Sequence, residues 1–198
     1  MNQEMLIGAV DIGGTKIAVG VVDEKGQVQT SLECPTEAQQ GPQDATKRIA
    51  QMLRLTAAQA GGPLSGVGIG CTGPVYPETG LIGINEFLPG WDGYNLVHEL
   101  SQILDLSVCI ENDADAAALG EWAWGGGQGA RTFLLVTIGT GIGVGLVLDG
   151  RLYRGVEGSH PEIGHHVIDP SGPPCFCGAR GCWESLASGP ALASWFNA

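Results

Sequence analysis

One pattern occurs in both halves of the 198-residue sequence and limits the topologies open to it: an apolar strand, a turn built on Gly and Thr, and a second apolar strand. Leu6–Asp11 (LIGAVD) reads as a buried strand that breaks at Ile12-Gly13-Gly14-Thr15-Lys16. Ile17–Asp23 follows as a second strand, and a Lys25-Gly26 turn leads to a third near Val28–Leu32. The pattern returns as Phe133–Ile138, then Gly139-Thr140-Gly141-Ile142-Gly143, Val144–Leu148, and an Asp149-Gly150 turn into Leu152–Arg154. Short strands joined by tight turns predict antiparallel meanders, and their recurrence predicts two related lobes. Each Gly-Thr turn admits two readings. One is an ordinary hairpin turn. The other is a phosphate cradle, in which Gly13 and Gly14 bring backbone N–H groups close, Thr15 offers a hydroxyl and Lys16 a charge. Asp11, at the strand end, is then placed to hold Mg²⁺ through water. Facing turns from two lobes would grip a polyphosphate from both sides. The Walker A pattern is absent, which excludes a P-loop protein.

Between the two meanders, Gln43–Ala60 predicts a helix with Ala45, Ile49, Met52, Leu53 and Ala57 on one face, ended by Gly61-Gly62-Pro63. Val67–Cys71 reads as a buried strand. Gly68, Gly70 and Gly73 spell G-x-G-x-x-G there, but Pro74, Pro77 and Gly80 predict an extended loop where the dinucleotide fingerprint must open a helix. A loop at a strand's carboxyl end remains a candidate small-ligand contact. Asn95–Asp105 predicts an amphipathic helix with Leu96, Val97, Leu100, Ile103 and Leu104 on one side. Val108–Ile110 reads as a strand, and an Ala-rich helix runs to about Trp124. Asn112 and Asp113 thus fall at a strand end and a helix N-terminus. A cap is one reading. The other is a carboxylate that accepts a proton from a bound hydroxyl, with Glu111, Asp113 and Asp115 as the acids to choose from. Trp122–Gly129 (WAWGGGQG) reads as a hinge, dividing the chain into residues 1–122 and 123–198. Trp183–Asn197 predicts a helix interrupted by Gly189-Pro190. Because only one clear helix follows the second meander, the second lobe is expected to be incomplete.

His160–Ser185 (HPEIGHHVIDPSGPPCFCGARGCWES) carries two kinds of chemistry. Cys175, Cys177 and Cys182 have metal-ligand spacing, and His165 or His166 supplies a fourth donor for a tetrahedral Cys₃His zinc site. Such a site closes a loop with too few apolar residues to hold itself. Glu162 and Glu184 flank it.

Composition narrows the function classes. A hydrophobic content of 43% against 15% charged residues supports a substantial core. Gly supplies 33 of 198 residues, in short runs after apolar segments, as expected where backbone approaches a ligand. The net charge of −12 disfavours a sequence-independent nucleic-acid surface. No signal-peptide pattern and no run of about 18 apolar residues is present, so neither export nor a membrane span is expected. Cys34, Cys71 and Cys109 sit singly and are expected to be reduced core thiols of a cytoplasmic protein.

The residues that carry a family resemblance are Asp11–Lys16 (DIGGTK), Leu88–Trp91 (LPGW), Glu111–Asp113 (END), Thr137–Gly143 (TIGTGIG), Glu162–His165 (EIGH) and Cys175–Glu184 (CFCGARGCWE). With these the chain resembles the ROK family, bacterial sugar kinases of the actin-like ATPase fold. The resemblance implies an α/β, RNase H-like architecture of two lobes with a zinc-binding loop, and ATP and a hexose held between the lobes. It implies that Asp113 is the general base and that Asn112, Glu162, His165 and Glu184 bind the sugar. It implies zinc on His165, Cys175, Cys177 and Cys182, so that one imidazole serves metal and sugar through its two nitrogens. It assigns Gly13, Gly14, Thr15, Gly139, Thr140 and Gly141 to the two phosphate turns, with Asp11 and Lys16 beside the first. The implied cofactors are ATP, Mg²⁺ and structural Zn²⁺. The implied assembly is a homo-oligomer, a dimer, acting on glucose at the 6-hydroxyl. Asp115 departs from the Asn of many members. His160-Pro161 points to the fructokinase-like branch, whereas the Cys-rich ending points to the glucokinase or N-acylhexosamine branch. The other expectations are a C-terminally truncated, non-catalytic sugar binder and a sugar-responsive repressor. The latter is disfavoured because only five residues precede Leu6.

Overall fold

The computed structural model describes residues 5–156 and 159–196, which form two compact units divided between Ala116 and Ala117. The first unit is built on a five-stranded sheet in the order β3-β2-β1-β4-β7. Strands β1 (Leu6–Ile12), β2 (Lys16–Val22) and β3 (Val28–Pro35) form the antiparallel meander expected, with β3 running three residues past Leu32. Strands β4 (Leu64–Cys71) and β7 (Val108–Asn112) join parallel to β1. The sheet is therefore mixed, and the carboxyl ends of β1, β4 and β7 lie at one edge.

Helix α1 (Pro42–Ala60) covers one face of this sheet. Its stripe of Ala45, Ile49, Met52 and Leu53 is buried against Val10, Ile12, Ile17, Val19 and Ile69 in one core. Gly61 ends the helix at φ 83°, where its N–H reaches the carbonyls of Ala57 and Ala58. Helix α2 (Leu96–Leu104) begins at Asn95, whose side chain accepts the His98 N–H at 2.9 Å. Only Leu96 and Leu100 of its expected stripe are fully buried, and Ile103 is 37% exposed. Leu88 and Trp91 are core residues, and the Trp91 indole N–H donates to the Ala38 carbonyl at 3.2 Å.

Two expectations need correction. Of the three single cysteines, Cys109 is exposed, Cys34 is half-buried, and Cys71 alone is a buried core thiol. On the edge strand β7 the alternation of side chains sends Ile110 into the core and Cys109 to the opposite face. The loop after β4 is no helix, as predicted, but it contains a short hairpin of β5 (Val75–Tyr76) and β6 (Leu81–Ile82). The interruption expected at Gly189-Pro190 is present one residue earlier: the chain is extended at Ser188, between α4 (Trp183–Ala187) and α5 (Gly189–Phe196). Asn197, the end of the predicted helix, lies outside the described residues.

Helix α3 (Asp113–Trp124) contains the division between the units, before the hinge-like run that suggested a boundary at Trp122. The second unit holds an antiparallel sheet in the order β10-β9-β8, with β8 spanning Thr132–Ile138, β9 Ile142–Leu148 and β10 Arg151–Leu152. Ile142 and Gly143, expected in the turn, belong to β9, which leaves a tight Gly139-Thr140-Gly141 connection. No described helix is long and apolar enough to cross a membrane.

Candidate active site

At the carboxyl edge of the first sheet, the β1–β2 turn is closed by the Gly13 N–H to the Lys16 carbonyl at 2.9 Å. The Thr36 hydroxyl donates to the Gly13 carbonyl at 2.6 Å and holds the turn from outside. Among the described residues, no acceptor takes the N–H of Gly14 or Thr15. A Cβ on Gly14 would lie 2.8 Å from that of Phe87, so this glycine is also required by packing. Lys16, expected to offer its charge to a phosphate, is paired with Glu33 across the β2–β3 ladder at 2.9 Å. Both partners are about half exposed (52% and 58%), so the pair is weak and its charge can be redirected.

Asn112 ends β7 and caps α3. Its Oδ1 accepts the N–H of Ala114 at 2.9 Å and of Asp115 at 3.2 Å, leaving the side-chain amide to other partners. The exposed Asp113 opens the helix and also accepts the Ala114 N–H, at 2.8 Å. Asp115 is fully buried. A Cβ on Gly73 would meet the Asn112 Nδ2 at 3.0 Å, so the loop after β4 packs directly on this corner. Partial burial, and then the charge of Asp113, push the Asp11 carboxyl above its ordinary value, while Lys16 pulls it down. The two carboxylates therefore feel each other, the situation a divalent cation relieves. Sequence reasoning missed Asn85. It is buried, donates to the Thr72 carbonyl at 2.9 Å and accepts the Phe87 N–H at 2.8 Å, fixing the segment that approaches Gly14. An Asn two residues before an exposed aromatic carries no signal that a sequence pattern would single out.

In the second unit, the donor atoms of His165, Cys175, Cys177 and Cys182 all lie within 4.8 Å of one another. His165 Nδ1 is 3.5 Å from the Cys175 sulfur, and the Cys177 and Cys182 sulfurs are 3.6 Å apart. Tetrahedral zinc with bonds of about 2.3 Å sets ligand sulfurs about 3.8 Å apart, so the donor set fits zinc. Burial, and then the neighbouring Cys177 and Cys175 thiols, push the Cys182 thiol up to about 12. The Ala179 backbone N–H is the largest influence holding Cys177 below its ordinary value. His166, the alternative donor, is outside the cluster. Nδ1 faces the sulfurs, leaving Nε2 available, and the Phe176 ring meets the imidazole edge-on at a centroid distance of 4.9 Å. Glu162 is exposed and opens the short helical turn Ile163–His165. Glu184, in α4, is half-buried, and its Oε2 accepts the Ile142 N–H at 2.8 Å. Among the described residues, no acceptor takes the N–H of Thr140 or Gly141. The two Gly-Thr turns thus present matching pairs of backbone donors.

The mixed α/β sheet, with a meander at the start of each unit, is consistent with the actin-like ATPase fold. Residues 7–198 match the ROK family model, and the chain belongs to the ROK family. It is 39% identical over 192 residues to a glucokinase of Thermotoga maritima, covering 97% of this chain and 60% of that protein. It is 37% identical over 190 residues to an N-acetylmannosamine kinase of Citrobacter koseri, covering 94% and 62% of the two chains. The crystal structure of a ROK family glucokinase from Streptomyces griseus in complex with glucose and AMPPNP superposes with a TM-score of 0.82. That match has 36% identity and covers 98% of this chain and 60% of the other. The chain therefore spans about three fifths of the length of the relatives it matches.

Proposed function

We propose that the protein transfers the γ-phosphoryl group of ATP to a hexose, glucose at its 6-hydroxyl, with Asp113 as the general base. The observation that carries this reading is the corner formed by β1, β7 and α3. An exposed carboxylate at a helix start shares a sheet edge with a turn that offers two backbone donors. Asp113 would take the proton of the attacking hydroxyl while Asn112 orients the sugar through its side-chain amide. The N–H groups of Gly14, Thr15, Thr140 and Gly141 would stabilise charge on the transferring group. Mg²⁺ would be held near Asp11 and would supply neutralisation of phosphate charge. Zinc would be held by His165, Cys175, Cys177 and Cys182. It would fix the imidazole so that Nε2 meets a sugar hydroxyl beside Glu162 and Glu184.

The test is ATP consumption against a hexose panel, with sugar binding followed by calorimetry. Asp113→Asn is expected to abolish transfer, by roughly a hundredfold or more, while sugar still binds. Wild-type turnover in this variant would refute the assignment of the base. The Citrobacter koseri relative, at nearly the same identity as the Thermotoga maritima one, favours a second substrate reading, an N-acylhexosamine. Fructose completes the panel. Sugar binding with no turnover on any member would favour a non-catalytic sugar binder.

A further inference from the structure

We propose that Glu184 is a positioning residue for the second Gly-Thr turn, bracing it from the metal-ligand segment, in addition to any contact it makes with sugar. The Ile142 N–H lies at the point where the turn becomes β9, and it donates to the Glu184 carboxylate at 2.8 Å. The approach is possible because position 141 is glycine. A Cβ there would fall on Glu184 Oε2, with the carboxyl carbon 3.2 Å away. Two further contacts come from the same segment. The backbone of Gly164, beside His165, packs on the Ile142 carbonyl so closely that a Cβ would collide with it. The Gly189 N–H, at the start of α5, donates to the Gly139 carbonyl at 2.8 Å. The Gly139–Ile142 turn is thus held at both ends and along its backbone by residues flanking the cluster of His165, Cys175, Cys177 and Cys182. A hydrogen bond to an ionised carboxylate is about twice as strong as one between neutral groups, so Glu184 is the principal brace.

The arrangement gives the carboxylate two separate tasks. Oε2 is committed to the turn, and among the described residues none hydrogen-bonds Oε1. The oxygen that remains is the one available to a hydroxylated ligand. The consequence for nucleotide binding rests on the kinase reading above; the brace itself does not.

Hydrogen exchange at the Ile142 amide, resolved by NMR in the ligand-free chain, tests the brace directly. Glu184→Ala removes the acceptor, and Gly141→Ala drives the carboxylate away while leaving its charge in place. Both are expected to speed Ile142 exchange roughly tenfold or more, with protection along the rest of β9 unchanged. Glu184→Gln keeps an oxygen of the same reach but makes a neutral bond about half as strong, so its Ile142 exchange is expected to fall between wild type and E184A. Because the two releasing variants alter different residues, either suffices if the other does not fold. Ile142 exchange equal to wild type in a folded E184A or G141A chain would overturn the proposal. AMPPNP with Mg²⁺ and glucose, each titrated by calorimetry, then separates the two tasks. E184A is expected to weaken both ligands, and E184Q chiefly glucose. A wild-type chain that binds neither ligand but loses Ile142 protection in E184A would refute the kinase reading and support the brace.

Discussion

Asn112 combines a cap with a proposed sugar contact, and two substitutions separate them. Its Oδ1 receives the N–H groups of Ala114 and Asp115, at 2.9 and 3.2 Å, but Ala114 has a second acceptor in Asp113 Oδ1 at 2.8 Å. Asn112→Ala therefore orphans one amide rather than two. Loss of a cap costs about 0.5–2 kcal/mol, and the surviving bond places this case at about 0.5–1 kcal/mol. Asn112→Asp keeps the cap oxygen, and its added charge favours the helix start while facing Asp113. Its stability is expected within about 0.5 kcal/mol of wild type. With a urea m-value of about 2 kcal/mol/M for a unit of this size, the alanine variant should unfold at about 0.25–0.5 M less urea. Buried Trp91 is available as a fluorescence reporter of this unit. Both variants lose the side-chain amide, so both should lose sugar affinity in calorimetry. The combined pattern is one destabilised and one unaltered fold with the same binding defect. Equal destabilisation of the two, or no shift in the alanine variant, would refute the cap. Normal sugar binding by Asn112→Asp would refute the contact.

Burial and Asp113 raise the Asp11 carboxyl, so the folded chain holds its proton to higher pH than the unfolded chain, and stability falls as pH rises through that window. Asp11→Asn should therefore unfold at higher urea than wild type at neutral pH, with the advantage shrinking as pH falls towards about 4; a lower midpoint at neutral pH would contradict this. Protein purified with zinc and without chelator should carry one zinc per chain by elemental analysis, and Cys182→Ser should lose it; metal-free wild type would refute the site. In the zinc-loaded chain, Cys109 should be the fastest thiol to react with a maleimide and Cys71, buried and pushed up to about 12, the slowest. Unchanged fast labelling in Cys109→Ser would show that β7 is covered.

The parts legible in the sequence are those where one local rule decides. The spacing of Ala45, Ile49 and Leu53 sets the buried face of α1, and the closely spaced cysteines mark the donor cluster that could hold a metal ion. Pro74 and Pro77 with Gly80 exclude a nucleotide-binding helix after β4. Cys109 was misread because a short apolar run does not say which strand is at the edge or which of its faces is covered. Spacing leaves His165 and His166 equivalent; in the fold His165, the last residue of the Ile163–His165 turn, lies beside the three cysteines and His166 does not, a difference set by long-range packing that adjacent positions do not reveal. The bond from Ile142 to Glu184 joins residues far apart along the chain, where no spacing rule applies.

Leu88 and Trp91 are fully enclosed in the first core, although the LPGW run they belong to is one of the stretches that carry the family resemblance. A genetic screen scoring growth on sugar would count substitutions there among the inactive ones and draw a false map of the binding site. Normalising each variant to the amount of soluble protein would move these two positions from the chemistry column to the abundance column. Asp113 and Glu162, both solvent-facing, should stay where they were.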